Sequence, residues 1–315
     1  MDRNLALELV RVTEAAALAS ARFFGKGDAT AADTAAVGAM ELAIRGVKIT
    51  GRIVIGEERK TSASRLCAGD TVGTGEEPEV DVALDPLECI DSVADGQANA
   101  ISAIALGPRG AFRNFTAPRM DKIAVGRQAA DAIDLEASVF DNLVAIAQAK
   151  RVYVEDLTVA ILDRERHRGL IEEVRRAGAR IELLRNGDLA ASIAAALPGT
   201  GVDALMGIGD TTQGIIAAAA LACIGGGFRG RLVPAKGVDR ENLPEEYRAV
   251  YTQHDLVGGD NVMFAATGVS HSDVLDGVRF RPGGAITHSV VFRGKSGTVR
   301  FLKTEHFFDK TPDYS

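Results

Sequence analysis

Four carboxylates stand where acidic side chains could act on a metal ion. They are Asp33 in Thr30-Ala-Ala-Asp33, Glu57 in Gly56-Glu-Glu58, and Asp85 and Glu88 in Asp85-Pro-Leu-Glu88. Residues 52–55 and 80–84 are apolar runs that read as strands, so the acidic residues behind them fall in the connecting turns. Hard cations such as Mg2+ and Mn2+ take carboxylate oxygens, and strand-end loops can aim several at one point. Two such ions can polarise a phosphate and activate water for in-line attack. The five histidines are scattered without ligand spacing, which excludes a zinc reading. Taken singly, each element also has a plain reading. Glu57-Glu58 can be a solvated turn, and Asp85-Pro86 can start a helix with Glu88 in its first turn.

A second set is cationic. The apolar run 157–162 ends in Asp163-Arg-Glu-Arg-His167, the run 180–184 in Arg185-Asn-Gly-Asp188, and the run 204–208 in Gly209-Asp-Thr-Thr-Gln213. Arginines beside helix starts make an anion seat through charge-assisted bonds and backbone N–H groups. The plain alternative is that these residues are caps and exposed turns.

The elements that must position them follow from periodicity. Leu5, Leu9, Val12 and Ala16 share one helical face, as an amphipathic helix and not a signal peptide. Strands are expected at 48–55, 80–84 and 100–106. From residue 156 strands at 157–162, 180–184 and 204–208 alternate with helices starting near His167, at Leu189 and at Thr212, which implies a largely parallel sheet. Strands at 262–266, 285–292 and 298–306 complete the chain, the last two joined by Gly294-Lys-Ser-Gly297. This is an α/β chain, expected to divide into a metal-binding α+β part, 1–152, and a substrate-binding α/β part, 153–315.

Composition narrows the class. Hydrophobic residues are 46% and charged residues 25%, a globular profile, and with no Trp the core must be aliphatic. The net charge of −7 and the lack of a dense Lys/Arg run exclude nucleic acid as a partner. Three dispersed cysteines fit a reducing compartment, and residues 214–225, the most apolar stretch, are too short to cross a bilayer. A cytoplasmic enzyme with no membrane contact is expected.

The order Asp33 … Gly56-Glu-Glu58 … Asp85-Pro-Leu-Glu88 resembles the metal-binding pattern of the Mg2+-dependent sugar and inositol phosphatases. Further stretches are similar to their class II fructose-1,6-bisphosphatase branch, which includes fructose/sedoheptulose bisphosphatases. They include Arg11-Val-Thr-Glu-Ala-Ala-Ala-Leu-Ala19, Ile53-Val-Ile-Gly-Glu57, Val72-Gly-Thr-Gly75 and Gly96-Gln-Ala-Asn-Ala100. Others are Arg166-His167, Gly187-Asp-Leu-Ala-Ala-Ser192, Gly207-Ile-Gly209, Ala266-Thr-Gly268 and Arg293-Gly-Lys-Ser296. The resemblance implies a layered α-β-α-β-α sandwich of two subdomains, Mg2+ or Mn2+ as cofactor, a sugar phosphate as substrate, and a homo-oligomer, dimer or tetramer. It places metal and catalytic roles on Asp33, Glu57, Asp85 and Glu88. Phosphate and sugar contacts fall on Arg164, Arg166 and Asp188, with Arg119 at a tyrosine position and Gln213 at a glutamate position.

The chain departs from that pattern in places. Cys89-Ile90 replaces a Gly-Thr pair whose hydroxyl helps hold metal and the attacking water. Ala29 replaces a basic residue, Gly56-Glu-Glu-Arg59 replaces Gly-Glu-Gly-Glu, and the run behind it is Lys60-Thr-Ser-Ala-Ser-Arg65. Three readings stay open: a phosphatase on an altered sugar phosphate, read in part by Arg59, Arg65 and Arg119; a homologue that binds sugar phosphates without hydrolysis; and a phosphosugar isomerase or epimerase.

Overall fold

A computed structural model describes residues 1, 4–59, 61, 65–234 and 243–309; Lys60 and residues 62–64 of the run named above lie outside them. The first part of the chain forms α1 (Leu5–Ser20), α2 (Ala29–Arg45), β1 (Thr50–Ile55), β2 (Thr71–Val72), β3 (Glu79–Glu88), α3 (Ile90–Ala94) and β4 (Ile101–Pro108). The middle forms β5 (Arg119–Val125), α4 (Val139–Lys150), β6 (Thr158–Leu162), α5 (Arg168–Ala177), β7 (Arg180–Leu184), α6 (Asp188–Ala196), β8 (Ala204–Asp210), α7 (Thr211–Ile224) and β9 (Gly227–Val233). Then come α8 (Glu245–Arg248), β10 (Tyr251–Thr252), α9 (Gln253–Leu256), β11 (Met263–Gly268), β12 (Arg279–Arg281), β13 (Gly284–Arg293) and β14 (Thr298–Phe307). The fold is mixed α/β, as expected, with one sheet in each of two compact units.

The first unit comprises Met1–Phe112 and Gly258–Ser315. Its sheet runs β12-β13-β11-β4-β3-β1-β2, with β14 paired to β13. β1 and β3 are parallel; β3, β4, β11 and β13 pair antiparallel in turn. Helix α1 packs on β11, β13 and β4 and beside α2, and it buries Leu5, Leu9, Val12 and Ala16, the face its spacing marked. Each large apolar side chain so buried contributes about 1.5–3 kcal/mol. The polar residues of that helix are also accounted for. Thr13 Oγ1 lies 2.7 Å from Thr267 Oγ1, which lies 2.8 Å from Ser289 Oγ, and Thr287 Oγ1 donates to the buried Glu14 at 2.9 Å. Hydroxyls paired in this way tie α1 to β11 and β13 without leaving orphaned polar groups.

The second unit, Arg113–Val257, has the sheet order β10-β9-β5-β8-β6-β7. Only β6, β7 and β8 are parallel; β5 lies antiparallel between β8 and β9, and β10 is antiparallel to β9. The largely parallel sheet expected for this part is therefore a mixed one. β5 and β9 escape a reading by periodicity because Arg119-Met-Asp-Lys carries three charges in four residues and Gly227-Phe-Arg-Gly-Arg has two glycines and two arginines in five. The boundary expected at 152–153 falls inside this unit, between α4 and β6. β11 hydrogen-bonds to β4 from Met263 to Gly268, so the last part of the chain belongs with the first. Among the described residues no helix is long and apolar enough to cross a membrane.

Candidate active site

In the first unit three of the four carboxylates gather at one end of two neighbouring strands. The parallel register pairs Ile53 with Val82 and Ile55 with Ala83. Glu57 and Asp85 each stand two residues beyond that last pair. Asp85-Pro-Leu-Glu88 is not a turn after the strand, nor the start of a helix; it is the last stretch of β3 itself, and α3 begins only at Ile90. The pairing with β4 slips between Asp85 and Glu88, and the Asp85 carboxylate accepts the Leu87 N–H at 3.0 Å. An irregularity of this kind re-aims side chains at a strand end. Glu88 is buried at 4% exposure. Asp33 is half-buried on α2, which packs against β3 and α3.

The donor chemistry suits a hard divalent cation, since carboxylates from adjacent strand ends are the ligands such ions take. Among the described residues no three His, Cys, Asp or Glu side chains are already drawn together around an ion-sized point. The residue after Glu88, Cys89, has φ +66°, the left-handed region, and Ile90 packs partly buried against the hydrophobic core. Arg59 pairs with Asp70, and Arg65 with Glu41 at 2.8 Å, so both arginines expected to read substrate are engaged with carboxylates of their own unit.

In the second unit the cations cluster. Arg119 opens β5 opposite Asp210, and Arg164 and Arg166 follow β6. Arg166 is held below the usual arginine range, first by burial and then by the charges of Arg119 and Arg164, with Asp210 and Asp188 acting the other way. A bound anion would offset the charges of Arg119 and Arg164 that act on Arg166. Arg166 donates twice to the Ile208 carbonyl, at 3.1 and 2.7 Å, and Arg164 donates to Asn186 Oδ1 at 2.8 Å and to the Asp163 carbonyl at 3.0 Å.

His167 fixes the other side of the same residue. Its Nδ1 sits 2.7 Å from the Leu162 carbonyl and its Nε2 accepts the Ile208 N–H at 2.8 Å. The ring is therefore neutral with the proton on Nδ1, and burial pushes its pKa down. Gly207 makes this possible, because at φ +121° an added Cβ would lie 2.9 Å from Nε2. The sequence marked Arg166-His167 and Gly207-Ile-Gly209 separately; the structure joins them as one clamp on the end of β8.

Asp188 opens α6 and is only 8% exposed. Its Oδ2 lies 2.5 Å from the ammonium of Lys122, which is 1% exposed in the middle of β5. Gly209 leaves the room, since a Cβ there would come 1.9 Å from that oxygen. Lys122 was not among the residues the sequence singled out, and nothing short of a charged residue inside a strand could have signalled it. Gln213 is half-buried in the first turn of α7.

Comparison with known proteins agrees with this arrangement of motifs. Residues 3–306 match the family described as bacterial fructose-1,6-bisphosphatase, glpX-encoded. A Trichodesmium erythraeum protein named D-fructose 1,6-bisphosphatase class 2/sedoheptulose 1,7-bisphosphatase is 37% identical, over 99% of this chain and 98% of its own length. A protein of the same name from Synechococcus sp. strain JA-3-3Ab is 39% identical, over 98% of this chain and 97% of its own length. With nearly its whole length matched and its carboxylate and arginine motifs in order along it, the chain belongs to the glpX-type, class II fructose-1,6-bisphosphatase family.

Proposed function

We propose that this chain is a divalent-cation-dependent phosphatase that hydrolyses one phosphate ester of a sugar bisphosphate resembling fructose 1,6-bisphosphate, with an altered preference among such sugars. The observation that carries the reading is the grouping of three arginines in the second unit, Arg119 at the start of β5 and Arg164 and Arg166 just after β6, with the charges of Arg119 and Arg164 both acting on Arg166. Arg164 and Arg166 anchor the phosphate that is not transferred, and Asp188 accepts from sugar hydroxyls. Arg119, exposed at the start of β5, adds a cation to that end. Mg2+ or Mn2+, when bound, supplies polarisation of the phosphate and activation of water; Asp33, Glu57, Asp85 and Glu88 are its holders. The test is phosphate release from a panel of sugar mono- and bisphosphates with each metal, with product masses recorded. Release from a sugar bisphosphate, lost on chelation, is the expected result. Conversion without release would instead support isomerisation.

A second reading, binding without turnover, is favoured by one observation. Ile90 brings no hydroxyl and packs against the core. Under that reading the wild type releases no phosphate, whereas Ile90→Thr, at a folding cost of about 1 kcal/mol, does.

A further inference from the structure

Lysine is seldom fully buried, because taking an ammonium out of water is costly unless a carboxylate meets it. Among the described residues Lys122 is one of the largest side chains below 2% exposure, and its partner is Asp188 at 2.5 Å. The partner is no ordinary core residue. Asp188 is the first residue of α6, directly after Gly187 in the left-handed conformation. It lies in the arginine group, since its charge acts on Arg166. The strands around the pair leave it room. Lys122 lies at the centre of a three-strand antiparallel stretch, in register with Gly207 of β8 on one side and Gly230 of β9 on the other. Gly209, two residues on along β8, vacates the volume that Asp188 Oδ2 occupies. A carboxylate fixed through one oxygen still has acceptor sites on the other, and it does so without rotating.

We infer that Lys122 is a positioning residue for substrate specificity: its buried ammonium holds the Asp188 carboxylate in one orientation, so that its remaining acceptor sites read the hydroxyls of a phosphosugar. This rests on the reading that the second unit binds a sugar phosphate. It goes beyond that reading by separating two tasks: the arginines hold phosphate, and the Lys122–Asp188 pair recognises the sugar.

The test compares two ligands by calorimetry, fructose 1,6-bisphosphate and inorganic phosphate, with wild type, Lys122→Met, Asp188→Asn and the double variant. The inference expects Lys122→Met to bind the sugar bisphosphate about tenfold or more weaker while phosphate affinity changes less than about twofold, a charge-assisted hydrogen bond being at stake in the first case only. The double variant should lose no more than Asp188→Asn alone, as for groups acting in series. Should circular dichroism show Lys122→Met to be unfolded, Lys122→Gln, which keeps an N–H donor of shorter reach, carries the same comparison and should fall between wild type and Asp188→Asn. Equal losses for both ligands would make the pair a structural ion pair and overturn the inference. Unchanged sugar binding in the folded variant would overturn it as well. A wild type that binds phosphate but no sugar bisphosphate would overturn the functional reading itself, and this inference with it.

Discussion

His167 should make the stability of this protein fall on acidification in a way that one substitution removes. The neutral ring is held between the Leu162 carbonyl and the Ile208 N–H at 2.7 and 2.8 Å. Protonating Nε2 would set one N–H against another in a site only 2% exposed. The folded pKa therefore lies below the ordinary 6.5, with burial as the main cause. The unfolded chain takes up a proton near pH 6.5 that the folded chain refuses until lower pH. Stability is thus intact above that value and is lost as pH falls toward the folded pKa. Within this window the loss is about 1.4 kcal/mol per pH unit. The measurement is urea unfolding at a series of pH values from about 7.5 to about 5, for wild type and His167→Gln, spanning the imidazole range. Carboxylates contribute equally to both curves, so the difference in slope isolates the imidazole. At neutral pH the variant should be weaker by about 1–3 kcal/mol, the cost of leaving the Ile208 N–H poorly satisfied, and the two curves should converge in acid. Parallel curves would refute the assignment of a neutral, doubly bonded His167.

Other expectations follow from the same geometry. Asp85→Asn should weaken Mn2+ binding, read by calorimetry, by at least about tenfold, since a charged hard donor is lost; equal affinity would remove Asp85 from the metal holders. Replacing Arg164 and Arg166 together by Ala should weaken sugar bisphosphate binding by about 2–4 kcal/mol, two charge-assisted contacts with incomplete additivity, and unchanged binding would move the anion seat elsewhere. Cys89→Gly should stabilise the chain modestly. Relief of the left-handed backbone is worth about 1–2 kcal/mol, offset by roughly 0.4–1 kcal/mol of extra freedom in the unfolded chain. A lower denaturant midpoint would show that the Cys89 side chain is needed for packing.

What could be read from the sequence was whatever repeats locally. The α1 face and the βα alternation from β6 to α7 follow from spacing alone, and the structure places them within a residue or two of where spacing put them. What depends on distant partners could not be read. β5 looks too charged for a strand until β8 and β9 flank it, and β11 looks like one more strand of the second half until it pairs with β4. Lys122 meets Asp188 across 66 positions of sequence, so a lone lysine in a charged stretch reads as exposed. Arg59 and Arg65 looked available for the same reason, their carboxylate partners lying 11 and 24 positions away. The candidate residues themselves were legible because their types and order are local, whereas the slip in β3 that re-aims Asp85 and Glu88 is a property of pairing.

The pair Cys89-Ile90 separates two things that a motif usually carries together. The turn that follows Glu88 requires a left-handed residue, and Cys89 adopts that conformation at φ +66° although a side chain there costs about 1–2 kcal/mol. The backbone behind Glu88 thus takes a left-handed turn at a residue where glycine would have been the easy choice. The next residue keeps nothing of the chemistry that a hydroxyl would bring, because Ile90 turns its side chain to the core. A chain that had ceased to need this loop's geometry would have had no reason to bear the strain of Cys89. That supports the proposed phosphatase over binding without turnover. Phosphate release by wild type on a suitable sugar bisphosphate, together with only a modest gain from Ile90→Thr, is the pattern that this view requires. A silent wild type made active by that one substitution would favour binding without turnover instead.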